Sequence, residues 1–326
     1  MKLLRGHQKS SYFPAGAVAT IGNFDGVHLG HQQLIKTLRE KADAMKLPLV
    51  LVLFEPQPRE YFLKDKAPAR LSTLREKIEA LKSSKVDYVY CIKFDKHIAQ
   101  TSANDFVKKQ LFEQFNIKYL LIGEDFRFGK NREGDTGLLK EMGHLFHCKV
   151  ETFADFTIDH EKVSSTKIRA ALLEGHFSTA QQLLGRPYSM CGRVVKGDGR
   201  GRQWGIPTAN LCINRLSLPL FGVYAVKVTV HSQVIYGVAN IGSRPTIDGT
   251  KNILEVHLFD FNDSIYGEML KVVFLHKLRD EEKFSSVEAL IEQIQNDIKT
   301  AKTYLQENCR YDVNKAMSYD FIDLVE

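Results

Sequence analysis

A change of texture at Gly185-Arg186-Pro187 constrains the fold of this chain more than any other feature. Before it, strand-like runs alternate with helical patterns. Ala17–Phe24 reads as a strand, and Leu29–Met45 carries Leu34, Ile35, Leu38 and Ala42 at helical spacing. Leu49–Phe54 is a continuous apolar run, as a parallel strand buried on both faces requires. Leu74–Leu81 reads as a helix, Val86–Ile92 as a strand, Ala103–Phe115 as a helix and Tyr119–Gly123 as a strand. This alternation predicts an α/β domain with a doubly wound parallel sheet. After the boundary, Ser189–Val195, Gly222–Val230, Gln233–Ile241, Leu254–Phe259 and Leu270–Phe274 follow one another across glycine-bearing turns, with no helix expected between them. That pattern predicts a small antiparallel barrel. Val287–Leu305, apolar at Val287, Leu290, Ile291, Ile294 and Ile298, predicts a packed closing helix. The expected division is therefore 1–185, 186–305 and a polar tail, 306–326.

Composition narrows the function classes. The chain has 326 residues, 44% hydrophobic and 26% charged, the mix of a globular protein with a core in each half. The longest apolar run is far too short to span a bilayer, and the basic start, Met1–Ser10, is not followed by the apolar stretch of a secretory signal. The five cysteines, Cys91, Cys148, Cys191, Cys212 and Cys309, are scattered and form no CxxC pair, which suggests a reducing, cytoplasmic setting. A net charge of +6 favours anionic partners, but no block of basic residues suits a nucleic-acid tail.

Two segments read as phosphate sites in the first half. In Gly22-Asn23-Phe24-Asp25-Gly26-Val27-His28-Leu29-Gly30-His31, glycines at a strand–helix junction allow close backbone approach, and the helix start offers free N–H groups. His28 and His31, three apart, can donate to the same phosphates. Downstream, Val163-Ser164-Ser165-Thr166-Lys167-Ile168-Arg169 opens a helix with a serine cap, yet places Lys167 and Arg169 against the helix dipole. Cations there call for an anion, which a triphosphate would supply. Neither Gly123–Asn131 nor Gly197–Arg202 qualifies as a glycine-rich phosphate loop. The first has five residues between its glycines and Asn131 after Lys130; the second has Arg202 where the third glycine belongs.

The second half carries Gly201-Arg202-Gln203-Trp204-Gly205-Ile206-Pro207-Thr208-Ala209-Asn210-Leu211. Thr208 and Asn210 share a face if the chain is extended, and a hydroxyl with an amide oxygen suits Mg²⁺ beside phosphates. In Leu254–Asp260, Glu255 and His257 face one way and Leu254, Val256 and Leu258 the other. A Glu255 carboxylate facing the interior of a small barrel could accept a proton from a substrate hydroxyl.

HxGH after a strand, followed by SSTxIR, resembles the nucleotidyltransferase superfamily. The strings IGNFDGVHLGHQ, GEDFRFGKNREGD and VSSTKIRAAL resemble the FMN adenylyltransferase module of bacterial bifunctional FAD synthetases. GRxxGxPTANL, GVYAV, GVANIGSRPTI, LEVHLFDF, YGEML and LRDEEKF, in that order, resemble the riboflavin kinase module. The resemblance spans about residues 15–305. It implies a Rossmann-like nucleotidyltransferase domain and a six-stranded barrel with a terminal helix. The implied activities are phosphorylation of riboflavin to FMN and adenylylation of FMN to FAD. Glu255 matches the family's base, with His28 and His31 the catalytic pair of the other reaction. ATP positions carried over are Gly22, Phe24, Asp25, His28, Gly30, His31, Ser165, Thr166 and Arg169, and, in the barrel, Gly199, Gly205, Pro207, Thr208 and Asn210. Flavin positions are Asp125, Phe126 and Arg279. The implied cofactor is Mg²⁺ with ATP, held at Thr208 and Asn210. Implied partners are riboflavin, FMN and ATP, with weak self-association allowed and neither nucleic acid nor membrane.

This chain departs from the family pattern at Trp204, where leucine is more usual, and at Glu124, where a smaller polar residue often stands. Beyond residue 305 the resemblance gives no account, although Tyr319, Phe321, Ile322 and Leu324 within Met317–Val325 suit docking. Two other readings exist. A class I aminoacyl-tRNA synthetase-like protein shares HxGH but needs a KMSKS-like loop, and Ala316-Met317-Ser318 lacks the lysines. A non-catalytic flavin carrier predicts degenerate sites, whereas Thr208, Asn210, Glu255, His28 and His31 are intact.

Overall fold

A computed structural model of the chain describes residues 1–6, 13–246, 249–309 and 311. They divide into two compact units, Met1–Ile168 with Leu183–Gly185, and Arg169–Gln182 with the residues from Arg186 onward.

The first unit is built on six parallel strands: β1 (Lys2–Arg5), β2 (Ala17–Ile21), β3 (Leu49–Glu55), β4 (Tyr88–Lys93), β5 (Ile117–Gly123) and β6 (Lys149–Phe153). Their order is β1-β4-β3-β2-β5-β6. Helices α1 (Leu29–Met45), α2 (Pro58–Leu63), α3 (Leu74–Leu81), α4 (Lys96–Gln100), α5 (Ala103–Asp105) and α6 (Thr136–Leu145) accompany them. β2 and β3 are buried along nearly their whole length, which is why they read as unbroken apolar runs. The edge strands β1 and β6 are exposed or half-buried and carry no such run, and the sequence reading missed them both. β2 ends at Ile21 and not at Phe24, because Phe24 turns left-handed (φ 45°). The expected helix over Ala103–Phe115 is α5 continuing into wider π-type turns over Phe106–Glu113. Strand order runs outward one way from β2 to β3 and the other way to β5, so the turn after β2 stands at the topological switch point, where open α/β sheets bind ligands. A short hairpin, β7 (Thr157–Ile158) and β8 (Glu161–Lys162), precedes α7 (Ser165–Leu173) and α8 (Phe177–Leu184).

The second unit contains a closed six-stranded barrel of β9 (Ser189–Val195), β10 (Ala209–Cys212), β11 (Gly222–Val230), β12 (Gln233–Thr246), β13 (Gly249–Leu258) and β14 (Met269–Arg279), in the order β10-β13-β12-β11-β14-β9. One short helix, α9 (Arg200–Gln203), interrupts the all-strand pattern expected there. α10 (Val287–Cys309) closes the unit and runs past the predicted end at Leu305. Tyr224, Val226, Ala239, Ile241, Leu254, Val256 and Phe274 are fully or almost fully buried and fill the barrel. Alternate residues Val223, Ala225 and Val238 pack outward against Ala301 and Leu305 of α10. Tyr311 follows α10 with its hydroxyl 3.2 Å from Asp260 Oδ2 and its ring against Tyr236. Met317–Val325 lies outside the described residues. Among the described residues no helix is long and apolar enough to cross a membrane.

Candidate active sites

In the first unit the turn from Gly22 to His31 is a tightly wound object. Phe24 (φ 45°), Gly26 (φ 82°) and Val27 (φ 42°) all adopt left-handed backbone. The His28 and His31 rings stack with centroids 3.7 Å apart, and Phe24 lies against His31 at 4.9 Å. Gly22 and Gly30 make room for these rings. A Cβ on Gly22 would stand 3.0 Å from the Phe24 ring, and one on Gly30 would stand 3.3 Å from the His28 ring. Asp25 is almost completely buried, and its carboxylate accepts the backbone N–H groups of Leu71 and Ser72, both at 3.0 Å. Gly26 N donates to Ser72 Oγ at 2.9 Å. The Asp25 side chain thus braces the turn from below. Ser165, 140 residues on, donates its hydroxyl to the Asp25 carbonyl at 2.9 Å, bringing the two sequence-predicted segments together. Ser164 caps α7 through Lys167 N, and Thr166 is exposed beside Ser165. Arg169 lies one turn further along α7 and groups with the second unit. Lys167 already has an anion, because its ammonium is 2.8 Å from Glu161, so its place in the first turn does not by itself call for a phosphate.

A buried charge cluster surrounds this brace. Arg70 pairs with Glu55 at 2.9 Å and Glu60 at 2.5 Å. Lys77 on α3 is fully buried, and its ammonium has no hydrogen-bond partner among the described residues. Burial pushes the Lys77 pKa down, opposed first by the charge of Asp25.

A run of aromatic rings, not noticed in the sequence, lies at the same carboxyl edge of the sheet. Phe62, Phe94, Phe54, Phe106, Phe128 and Phe126 contact one another in succession, with centroids 5.6–6.0 Å apart. Phe62, at one end, is 60% exposed. Asp125 is nearly fully exposed, 3.5 Å from Lys162.

In the second unit, strand register aligns the predicted residues in one row. Arg279 lies opposite Val223, Val223 opposite Asn240, Asn240 opposite Glu255, and Glu255 opposite Asn210. Val223 faces α10, so Glu255 stands on the outer wall of the barrel and not in its interior, which apolar side chains fill. A cavity of about 380 Å³ opens there, lined by Thr208, Asn210, Asn240, Glu255, His257 and Arg279, with Leu290, Ile294 and Ile298 of α10 opposite. Arg279 is held in a bidentate pair with buried Asp297, Nε to Oδ1 at 2.9 Å and Nη2 to Oδ2 at 2.9 Å. Its guanidinium is 5.5 Å from the Phe284 ring centroid. Gly199 and Gly205, both at φ 73°, lie on either side of α9, and Gly199 lines the cavity. Asn240 was missed because its meeting with Glu255 depends on the register between two strands. Among the described residues no cluster of His, Cys, Asp and Glu is arranged to hold a metal.

A switch-point turn with paired histidines in one unit and a barrel-wall cavity with a carboxylate between two amides in the other are the two candidate sites of a two-domain transferase, the class to which the following matches assign the chain. Residues 11–167 match the FAD synthetase family and residues 184–305 the riboflavin kinase family. The bifunctional riboflavin kinase/FMN adenylyltransferase of Haemophilus influenzae is 47% identical over 93% of this chain and 99% of its own length. Its counterpart in Escherichia coli K12 is 44% identical over 93% and 98%. A solved structure from Streptococcus pneumoniae, described as a macrolide-efflux protein, superposes with a TM-score of 0.74 at 31% identity, covering 94% of this chain and 99% of that one. The chain belongs to the bifunctional riboflavin kinase/FMN adenylyltransferase family, with both activities: an FAD synthetase domain precedes a flavokinase domain.

Proposed function

We propose that the barrel-wall cavity phosphorylates riboflavin and that the turn after β2 adenylylates the resulting FMN, with residues 186–305 serving the first reaction and 1–185 the second. The observation that carries this reading is Glu255 standing directly between Asn210 and Asn240 in a cavity walled by apolar residues of α10. A carboxylate in that position accepts the proton of the ribityl 5′-hydroxyl as its oxygen attacks the γ-phosphorus of ATP, and ADP leaves. Thr208 and Asn210 hold the phosphates and would hold Mg²⁺, which when bound offsets their charge. Arg279, fixed by Asp297, and Phe284 orient the flavin.

In the second reaction an FMN phosphate oxygen attacks the α-phosphorus of another ATP, and pyrophosphate leaves. His28 and His31 donate to the phosphates as charge develops, with Ser165 and Thr166 beside them. The exposed Phe62 face and Phe126 offer a stacking surface for the isoalloxazine ring. Positioning and charge stabilisation suffice for both steps, with no covalent enzyme intermediate. Five free cysteines suit a cytoplasmic setting.

The test is incubation of the full chain with riboflavin, ATP and Mg²⁺, followed by chromatographic separation of FMN and FAD. Glu255→Gln is expected to lower FMN formation by about 10²–10⁴-fold while still converting supplied FMN to FAD. Loss of both activities in a folded Glu255→Gln protein sinks the assignment.

A further inference from the structure

The ladder between β10 and β13 starts at Ala209, opposite Val256. Continuing the same register outward would set Thr208 opposite His257 and Pro207 opposite Leu258, but Pro207 has no N–H to offer a ladder. At this point a side chain replaces the backbone: His257 Nδ1 lies 2.8 Å from the carbonyl oxygen of Pro207. A carbonyl only accepts, so Nδ1 carries the hydrogen. His257 shares the outer wall with Glu255, two residues away on β13, and lines the same cavity. Its ring orientation is set from the other side by buried Phe259, with centroids 5.8 Å apart at 65°. On the loop side, Gly205 is at φ 73°, and a Cβ there would meet no described atom within 4 Å.

From this we infer that His257 is a positioning residue: its Nδ1–H holds the Pro207 carbonyl and so sets Thr208, one residue outside the ladder that already fixes Asn210, at a fixed distance from Glu255. The assignment rests on the reading of Thr208 and Asn210 as ATP-phosphate ligands. A carbonyl anchored one residue before Thr208 limits how far the loop can swing from the wall. Releasing it leaves Thr208 present but unheld, while Asn210 keeps its strand pairing. The effect therefore falls on ATP binding and not on the chemical step.

The full-length chain is assayed as riboflavin kinase with Mg-ATP and riboflavin varied separately, in His257→Ala, His257→Asn and His257→Gln. An asparagine amide nitrogen takes the place of Nδ1; a glutamine amide nitrogen takes that of Nε2. Loss of one anchoring hydrogen bond is expected to raise KM for Mg-ATP by roughly tenfold in His257→Ala, with kcat and KM for riboflavin nearly unchanged. His257→Asn restores most of the loss and His257→Gln does not. FMN adenylylation stays the same in all three. Should His257→Ala fail to fold by circular dichroism, the Asn and Gln variants decide between themselves. Wild-type kinetics in His257→Ala overturn the proposal. So does rescue by Gln and not Asn, which would put the outer nitrogen on substrate, or a fall in kcat without a rise in KM. Full kinase activity in Thr208→Ala and Asn210→Ala would instead overturn the underlying reading, whatever the histidine variants do.

Discussion

Asn240 of β12 lies directly opposite Glu255 of β13, on the side away from Asn210. Glu255 thus has an amide on each flank, and an amide can donate to a carboxylate whichever way the carboxylate turns. Replacing Asn240 with leucine keeps the volume and removes the donor. Riboflavin phosphorylation is expected to fall about tenfold, the weight of one hydrogen bond, while conversion of FMN to FAD is unchanged. Steady-state rates of both half-reactions on one preparation check this. Equal loss of both would mean that Asn240 serves stability and not the kinase site.

The Arg279–Asp297 pair makes a second prediction. Asp297 is buried and accepts from Arg279 Nε and Nη2 and from Gln293 Nε2. Asp297→Ala removes the bidentate partner of a half-buried guanidinium, which keeps Glu282 at 3.2 Å and the Asp280 carbonyl at 2.9 Å, so stability is expected to fall by about 1.5–3 kcal/mol, the weight of a hydrogen bond to a charged group. Urea unfolding should show this loss in the barrel transition. Riboflavin KM should rise as well, because Arg279 lines the cavity. A stability loss with unchanged riboflavin KM would remove Arg279 from the flavin site.

How much of this was legible in the sequence depends on what each residue faces. Leu49–Glu55 was plain because both of its faces are buried, so nothing polar interrupts the run. β1 and β6 were hidden because edge strands keep exposed positions that look like loop. The His28–His31 turn and the Thr208–Asn210 loop were legible as local strings. Their surroundings were not: the link from Asp25 to Ser72 spans 47 residues, and that from Ser165 to Asp25 spans 140. Glu255 could be assigned to a face by alternation alone. Which face was the barrel's outside followed only from the packing of Val223 and Val238 against α10, Val238 lying opposite His257 in register.

Lys77 gives a pH prediction with a definite sign. Burial lowers its folded-state pKa below the ordinary lysine value of 10.5, against the charges of Asp25, Glu55 and Glu60 and with that of Arg70. In the window between the lowered value and 10.5, the unfolded chain binds more protons than the folded one. Stability therefore rises with pH through that window and levels off above it. Lys77→Met, similar in length and apolar, removes this contribution. Urea midpoints for the first unit, measured from pH 7 to 9.5, should climb less steeply in Lys77→Met than in the wild type. Parallel curves would mean that the proton is held equally in both states.

Gly22 and Gly30 make the last prediction. Each leaves space for an aromatic ring of the stack, Gly22 for Phe24 and Gly30 for His28. An alanine methyl at 22 would meet Phe24 Cε2 at 3.0 Å and Cδ2 at 3.3 Å. Phe24 is almost completely buried and lies against His31, so it has little freedom to withdraw. The methyl would press on the ring that lies against His31 and so displace the imidazole proposed to donate to phosphate. A displacement on the order of 1 Å costs roughly 10²-fold in a positioned reaction. Gly22→Ala is therefore expected to lower FAD formation from FMN on that scale and to leave riboflavin phosphorylation intact. Gly123→Ala, at the end of β5, is the control: a Cβ there meets nothing within 4 Å, and its φ is not in the left-handed region. Gly123→Ala should match the wild type in both reactions. Equal losses in Gly22→Ala and Gly123→Ala would show that the glycines act through chain flexibility and not through the space they leave for the rings.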